Sequence, residues 1–152
     1  MTVCIQVSVS EAPLSVEDAL RFVQSDHHGA MAIFVGTVRD SNVGRTVTHI
    51  AYDVFVPLAE STFKTIGQLA QARYTSTLKV YISHFKGSLS VGGMSVIIAV
   101  SSKHREESFA ACRFIIEEIK KRAPIWKQEH YTDGVSEWVQ GHALCQHAHH
   151  EC

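Results

Sequence analysis

The segment from Arg105 to Arg122 constrains the fold of this chain more than any other part of the sequence. Its apolar residues recur every three or four positions, which is the spacing of one face of an α-helix. The predicted apolar stripe consists of Phe109, Cys112, Ile116 and Ile119. Pro124 ends the helix, because proline cannot continue the hydrogen-bond pattern. Such a helix, about five turns long, needs a sheet or other helices to cover its apolar face.

Strands are predicted on both sides of this helix. Runs of apolar, β-branched and aromatic residues predict strands at residues 3–9, 30–38, 46–56, 78–85, 96–100, 125–131 and 136–140. Ser15 and Asp18 predict the capped start of a short helix that ends near Ser25, and Pro57 suits the first position of a helix that ends near Tyr74. Segment 30–38 is apolar on both faces, so a central, buried strand is expected there. Interspersed helices and hairpins together predict an α+β fold.

The length and composition indicate one domain with a sizeable core. The chain has 152 residues, is 45% hydrophobic and has a net charge of -1, so its overall charge gives no indication of nucleic-acid binding. No apolar run is long enough to span a membrane, and residues 1–10 lack the pattern of a signal peptide. The four cysteines show no CxxC spacing, and we expect a cytoplasmic protein. Residues 1–140 are the predicted domain.

Residues 141–152 form a segment of different composition. It contains four histidines and two cysteines but has no hydrophobic periodicity, so we expect a disordered tail. Histidine and cysteine can also bind zinc or nickel, although this spacing matches no closed structural site. A metal-binding protein that uses this tail is therefore one alternative function. Metal uptake measured before and after removal of residues 141–152 would separate it from catalysis.

Three segments place basic residues at the ends of predicted elements. Arg39 follows the strand at 30–38, His104 and Arg105 precede the long helix, and Lys120 and Lys127 lie around its end. A helix N-terminus carries unpaired N–H groups and a partial positive charge, so His104 and Arg105 there suit an anion site. A solvated surface turn would explain the same residues equally well.

The helical period separates two adjacent lysines. Lys121 lies about 180° from the centre of the predicted apolar stripe, whereas Lys120 lies about 80° from it, at the edge of the buried face. Lys120 is therefore better placed to line a pocket.

Lys127 follows Trp126 on a predicted strand, so the two side chains point to opposite faces. A lysine that lies near other cations and is partly buried has a lowered pKa and can stabilise charge or transfer protons. A surface lysine on an edge strand is the alternative reading of Lys127.

The same segments resemble those of a known family, the large, catalytic subunit of molybdopterin synthase. The resemblance covers about residues 3–140. It is carried by Phe34-Val-Gly-Thr-Val-Arg-Asp40, Val100-Ser-Ser-Lys-His-Arg105, Phe109-Ala-Ala-Cys-Arg113, Lys120-Lys-Arg-Ala-Pro-Ile-Trp-Lys-Gln-Glu129 and Asp133-Gly134 followed by Trp138-Val139. The sequence departs from the family pattern at Gly93, where an acidic residue often stands, and at Tyr52-Asp-Val-Phe55.

The resemblance implies a fold, a reaction and partners. The fold would be an α/β-hammerhead core with an additional antiparallel β subdomain. The reaction would transfer sulfur from the C-terminal thiocarboxylate of a small ubiquitin-like carrier subunit to cyclic pyranopterin monophosphate, which forms the dithiolene of molybdopterin. The chain would form a homodimer, and a heterotetramer with two carriers. The short strands after Pro124 are the expected pairing edge. No metal or other cofactor is implied, and neither nucleic acid nor a membrane is an expected partner.

Site residues are carried over position by position. Lys120 and Lys127 match the catalytic lysines of the family, and Arg39, His104 and Arg105 match its substrate and anion pocket. His142 is the nearest candidate for a basic residue that the family often supplies across the dimer. A non-catalytic scaffold that binds the tail of a ubiquitin-like protein is the alternative function, although such a scaffold would not need both lysines.

Overall fold

The computed structural model describes residues 4–140. Three helices and ten strands make up this part of the chain. Their bounds are β1 (Ile5–Ser10), α1 (Val16–Val23), β2 (Ala30–Thr37), β3 (Ser41–Asn42), β4 (Arg45–Val54), α2 (Val56–Arg73), β5 (Lys79–Phe85), β6 (Gly87–Ser90), β7 (Met94–Ser102), α3 (Arg105–Arg122), β8 (Ile125–Tyr131), β9 (Gly134–Val135) and β10 (Val139–Gln140). The mixture of helices and sheets confirms the predicted α+β class.

The first sheet has the strand order β1-β5-β7-β2 and lies between layers of helix. Strands β1 and β5 are parallel, and the other two pairs are antiparallel. Alternate side chains of β5 and β7 point to opposite faces, as the strand geometry requires. Val80 and Ile98 pack on one face against α2 and α3, whereas Tyr81 and Ile97 pack on the other face against α1. The main hydrophobic core therefore lies between this sheet and the pair α2–α3.

The second sheet is antiparallel and has the order β10-β8-β4-β3, with β6 paired to β4 and β9 paired to β8. Ala123 and Pro124 connect α3 directly to β8, and the N–H of Phe55 donates to the carbonyl of Pro124 at 3.2 Å. This short connection fixes β8 beside the last turn of α3. Residues at the end of α3 and on β8 are thus brought close together.

Local sequence signals predicted several elements well. The long helix spans Arg105–Arg122 and the following strand spans Ile125–Tyr131, as expected. The hydroxyl oxygen of Ser15 accepts a hydrogen bond from the N–H of Asp18 at 3.1 Å, so the predicted N-cap is confirmed. Strands β3 and β6 were not predicted, because each is too short to show an alternating pattern. The strand predicted at residues 136–140 is limited to Val139–Gln140.

Strand β2 is an edge strand, and the prediction of a central, buried strand at residues 30–38 is wrong. Met31 and Ile33 alternate with Ala32 and Phe34, so large apolar side chains are exposed on both faces of this edge strand. Met31 is 51% exposed, and Ile33 and Phe34 are each 37% exposed. Phe109, expected in the core, is 68% exposed on the adjacent face of α3, and Ile115 is buried instead. Sequence alone cannot distinguish an apolar surface from an apolar core.

Of the strands after Pro124, β8 lies between β4 and β10, whereas β10 lies at the end of the sheet order. A pairing edge for a homodimer at these strands stays a prediction. No helix in residues 4–140 has the length and apolar character needed to cross a membrane. The predicted tail and His142 lie outside the described residues.

Candidate active site

Lys120 lies in the last turn of α3 and its side chain is half-buried at the wall of a cavity, whereas Lys121 is exposed. The helical phase therefore separated the two lysines correctly. Burial is the largest cause that lowers the pKa of Lys120, and the positive charges of Lys127 and Arg39 lower it further. In the described residues, no carboxylate lies within ion-pair distance of Lys120.

Lys127 lies on β8 and lines the same cavity. Its strand pairs with β4 on one side and β10 on the other, with Lys127 opposite Tyr52 and Val139. The reading of Lys127 as an edge-strand lysine is therefore wrong. Burial lowers the pKa of Lys127, the carboxylate of Glu129 raises it, and the charge of Arg39 lowers it. Both lysines thus release a proton more readily than an exposed lysine does.

Glu129 is a buried carboxylate that the sequence analysis did not identify. It is 6% exposed and lies two positions from Lys127, on the same face of β8. Its Oε2 atom accepts a hydrogen bond from Nδ2 of Asn42 at 2.6 Å and a second from the hydroxyl of Tyr131. The Nζ atom of Lys127 lies 3.6 Å from its Oε1 atom. An acidic residue at i+2 from a candidate lysine on a strand is the signal that could have indicated this pair.

Arg39 follows β2 and lines the cavity together with both lysines. The structure thus brings together three of the predicted site residues, which come from three separate elements. Glu129 is the one carboxylate among the described residues that line this cavity. Three cations and one carboxylate give the cavity a net positive charge, which suits an anionic ligand.

The inner end of the cavity is formed by Tyr52, His84 and Ser95, together with the two lysines. The hydroxyl of Tyr52 is hydrogen-bonded to Ser95, and burial raises the pKa of Tyr52. His84 is buried, and this burial is the main cause that lowers its pKa to about 4. None of these three residues was predicted as a site residue from the sequence, because they come from three different strands and only Tyr52 lies in a segment with a family pattern.

His104 and Arg105 lie elsewhere in the chain. His104 is the N-cap of α3, Arg105 is its first residue, and both side chains are exposed. Fifteen helical steps separate Arg105 from Lys120, so the two residues are about 22 Å apart along the helix axis. Within one chain, the structure does not bring His104 and Arg105 to the cavity of Arg39. Their assignment to substrate binding therefore remains a prediction that requires a second copy or another partner.

The geometry is that of a site for charge stabilisation. Two partly buried lysines and an arginine face one cavity, where they can bind an anion and stabilise negative charge that develops in a reaction. Residues 4–140 contain no cluster of three or more histidine, cysteine, aspartate or glutamate side chains that could hold a metal ion. Cys112 is buried in the main core, and burial raises its pKa to about 11. Its thiol is therefore poorly suited to act as a nucleophile.

Comparisons with known proteins identify relatives of this chain. Residues 9–122 match the family described as MoaE protein. The molybdopterin synthase catalytic subunit of Synechococcus elongatus is 47% identical over 141 residues, which cover 93% of this chain and 86% of that protein. The crystal structure of molybdopterin synthase from Staphylococcus aureus is 31% identical, with a TM-score of 0.83 over 87% of this chain and 95% of that one.

A more distant structure shares the fold. It is the complex of subunits 1 and 2 of molybdopterin-converting factor from Helicobacter pylori, which is 20% identical with a TM-score of 0.69 over 88% of each chain. The family match covers most of the chain, and the relative from Synechococcus elongatus covers nearly all of it. The chain therefore belongs to the MoaE protein family and is similar to molybdopterin synthase catalytic subunits.

Proposed function

We propose that this chain is the catalytic subunit of a molybdopterin synthase. It transfers sulfur from the C-terminal thiocarboxylate of a small ubiquitin-like carrier subunit to cyclic pyranopterin monophosphate, and so forms the dithiolene of molybdopterin. The observation that carries this proposal is the cavity in which Lys120, Lys127 and Arg39 meet. Both reactants are anionic, and this cavity places three cations around one space.

The chemistry suits these residue types. Opening of the cyclic phosphate and attack by the thiocarboxylate both develop negative charge, which fixed cations stabilise. Arg39 can bind phosphate oxygens through two parallel hydrogen bonds, whereas a lysine acts as a compact point charge. Partial burial strengthens these interactions because less water screens them. Lys120 and Lys127 are therefore the proposed catalytic residues, and Arg39 is the proposed ligand of the substrate phosphate.

The small carrier subunit is the proposed protein partner. Its C-terminal tail would have to enter the cavity to bring sulfur beside the lysines. A tail of a few residues buries too little area for a stable interface, so most of the contact must lie on the folded body of the carrier. The Helicobacter pylori structure is itself a complex of two subunits, which is consistent with such an arrangement.

The catalytic proposal is favoured over a non-catalytic scaffold by the burial of the lysines. Desolvation of a lysine is unfavourable, so a protein that only bound a tail would gain stability by placing apolar residues at positions 120 and 127. Mass spectrometry of a thiocarboxylated carrier tests the distinction. With this chain and pyranopterin present, an enzyme converts the thiocarboxylate to a carboxylate. A scaffold binds the carrier and leaves its sulfur in place.

We also propose a homodimer that forms through the exposed apolar surface between β2 and α3. This surface consists of Met31, Ile33, Phe34 and Phe109, and we call it the β2–α3 surface. The middle of α3 borders it. A two-fold axis there, perpendicular to α3, would set two copies of α3 antiparallel, with the N-terminus of one beside the last turn of the other. His104 and Arg105 of the second copy would then approach the cavity of Lys120, which accounts for their distance from it within one chain.

Light scattering of single variants tests this interface. We expect the protein to form a dimer at micromolar concentration and Phe109→Glu to form a monomer of 16.9 kDa, because a carboxylate in the apolar contact would have to be buried unpaired. Leu58→Glu is the matched control, since Leu58 is 51% exposed on α2, away from the β2–α3 surface. A monomeric wild-type protein, or equal effects of the two variants, would contradict the proposed interface.

A further inference from the structure

His84 lies at the inner end of the cavity, beneath the last turn of α3. It is on β5, on the face that packs toward α2 and α3, and it is only 6% exposed. Its Nδ1 atom lies 2.8 Å from the carbonyl oxygen of Phe85. A carbonyl oxygen can only accept, so Nδ1 donates and carries the ring hydrogen. In the neutral ring, the lone pair is therefore on Nε2.

The ring is neutral at physiological pH for two reasons. Burial lowers the pKa of His84 to about 4, and the nearby charge of Lys120 contributes to the same shift. The ring of Tyr52 packs edge-on against the imidazole, with centroids 5.3 Å apart and an angle of 71° between the planes. This contact and the hydrogen bond of Nδ1 leave the imidazole little freedom to rotate.

The other polar groups at the inner end already have partners. The hydroxyl of Tyr52 is hydrogen-bonded to Ser95, and the hydroxyl of Ser95 donates to the carbonyl of Gly36 at 3.2 Å. Lys127 lies beside Glu129. Two groups remain, namely Nε2 of His84, which makes no hydrogen bond to another described residue, and the ammonium of Lys120, which has no carboxylate within ion-pair distance in residues 4–140.

We propose that His84 is a positioning residue: the side chain of Lys120, which is not bonded to it in this structure, turns so that its ammonium donates a hydrogen bond to the unpartnered Nε2 atom, and that charge is thereby held inside the cavity. The inference rests on the proposed sulfur-transfer function and extends it. Lys120 has a flexible side chain that two neighbouring cations repel, so without a partner it would turn toward solvent. A carboxylate partner, such as Glu129 beside Lys127, offsets part of the positive charge of a lysine. A neutral imidazole fixes the position of the ammonium and leaves its charge available.

Three substitutions at position 84 separate this role from a packing role. The side-chain amide of glutamine can place an acceptor near the position of Nε2. The shorter amide of asparagine places its polar group near the position of Nδ1 instead. Phenylalanine fills the space of the ring without an acceptor. We expect His84→Gln to retain most of the turnover. His84→Phe and His84→Asn should each lose about tenfold or more, the usual effect of losing one hydrogen bond to a charged group. Thermal unfolding and circular dichroism establish which variants fold.

The protonation of Lys120 provides a readout that packing alone would not change. A hydrogen bond to the ammonium favours the charged form, so its loss lowers the pKa of Lys120 further. Competitive labelling of lysines with acetic anhydride across pH measures this shift. In His84→Phe, we expect the Lys120 titration and the alkaline limb of the pH–rate profile to move to lower pH. In His84→Gln, we expect both to lie at the same pH as in the wild type. An unchanged Lys120 titration in a folded His84→Phe protein would overturn the proposal.

Nuclear magnetic resonance of the intact protein covers the case in which the position-84 variants do not fold. Long-range proton–nitrogen spectra identify which ring nitrogen carries the hydrogen, and comparison with Lys120→Met reports on the contact. We expect Nε2 to be unprotonated and its resonance to shift in Lys120→Met. A protonated Nε2, or identical spectra, would refute the proposal. Neither labelling nor these spectra require turnover, so a failure of the sulfur-transfer function itself would be recognised separately.

Discussion

The Nζ atom of Lys127 lies 3.6 Å from the Oε1 atom of Glu129, on one face of β8 and inside the cavity that Lys120 and Arg39 also line. Glu129 is held in turn by Asn42 and Tyr131. This arrangement keeps a half-buried lysine in a fixed place, while burial and the charge of Arg39 lower its pKa and the carboxylate of Glu129 raises it.

Lys127→Ala should retain the fold and lower turnover by at least about a hundredfold, which is typical for the loss of one charge-stabilising group. The measurement is molybdopterin formation under saturating carrier, together with thermal unfolding of the variant. Gln128→Ala is the matched control, because adjacent residues of β8 point to opposite faces. Near-normal turnover of Lys127→Ala would remove this lysine from the mechanism.

Adjacent lysines of α3 should behave differently. Lys120→Ala should reduce turnover by about a hundredfold for the same electrostatic reason. Lys121 is exposed, so Lys121→Ala should stay within about twofold of the wild type, as for most surface substitutions. Steady-state kinetics of the two variants, prepared in parallel, provide the test. Equal losses would mean that solvent-facing charge, and not the cavity, governs the rate.

Glu129→Gln should lower the pKa of Lys127 further, because the carboxylate now raises that pKa against the effect of burial. The amide can still accept hydrogen bonds from Asn42 and Tyr131, so the loss is mainly one of charge. If the reaction needs Lys127 protonated, the alkaline limb of the pH–rate profile should move to lower pH. Turnover at neutral pH should fall by about tenfold or more.

Glu137→Gln is the control for this change in charge, because Glu137 is exposed near the same strand. Its pH–rate profile should match that of the wild type. A profile of Glu129→Gln that also matches the wild type would show that the carboxylate does not act on Lys127.

The stability of the protein should decrease as the pH falls below 6.5, and His84 should account for part of the loss. The pKa of His84 is about 4 in the folded state and about 6.5 in the unfolded chain, so the unfolded chain binds an additional proton between these values. Lowering the pH through this window therefore reduces the free energy of unfolding, by about 3 kcal/mol in total at roughly 1.4 kcal/mol per pH unit. Urea unfolding at several pH values measures the slope.

His84→Gln removes this titration, so its free energy of unfolding should depend less on pH between 6.5 and 4. The carboxylates titrate in both proteins, and their contribution cancels in the comparison. Identical slopes for the two proteins would mean that His84 is protonated as readily in the folded protein as in the unfolded chain.

Local periodicity predicted the parts of the fold and site that depend on a single element. The choice of Lys120 over Lys121 follows from the 3.6-residue period of α3, whose end is set by Pro124. The cap of α1 follows from the spacing of Ser15 and Asp18. The order of β2 in its sheet could not be predicted in this way, because an exposed apolar face has the same sequence pattern as a buried one. Phe109 was misplaced for the same reason.

The remaining site residues depend on tertiary contacts. His84 on β5, Tyr52 on β4 and Glu129 on β8 meet only because the second sheet closes on the end of α3. Their roles depend on burial and on partners distant in sequence, which the local pattern around each residue does not indicate. His104 and Arg105 precede a helix, a position that suits an anion site and a solvated surface turn equally well. The length of α3 separates them from the other predicted residues within one chain.

Formation of molybdopterin from purified components tests the central claim most directly. The assay combines this chain, a thiocarboxylated carrier and cyclic pyranopterin monophosphate, and measures the dithiolene product. Our account predicts product in the complete mixture and severe loss with either Lys127→Ala or Lys120→Ala, while Lys121→Ala remains active. Binding of the carrier with no dithiolene formed by the folded wild-type protein would contradict it.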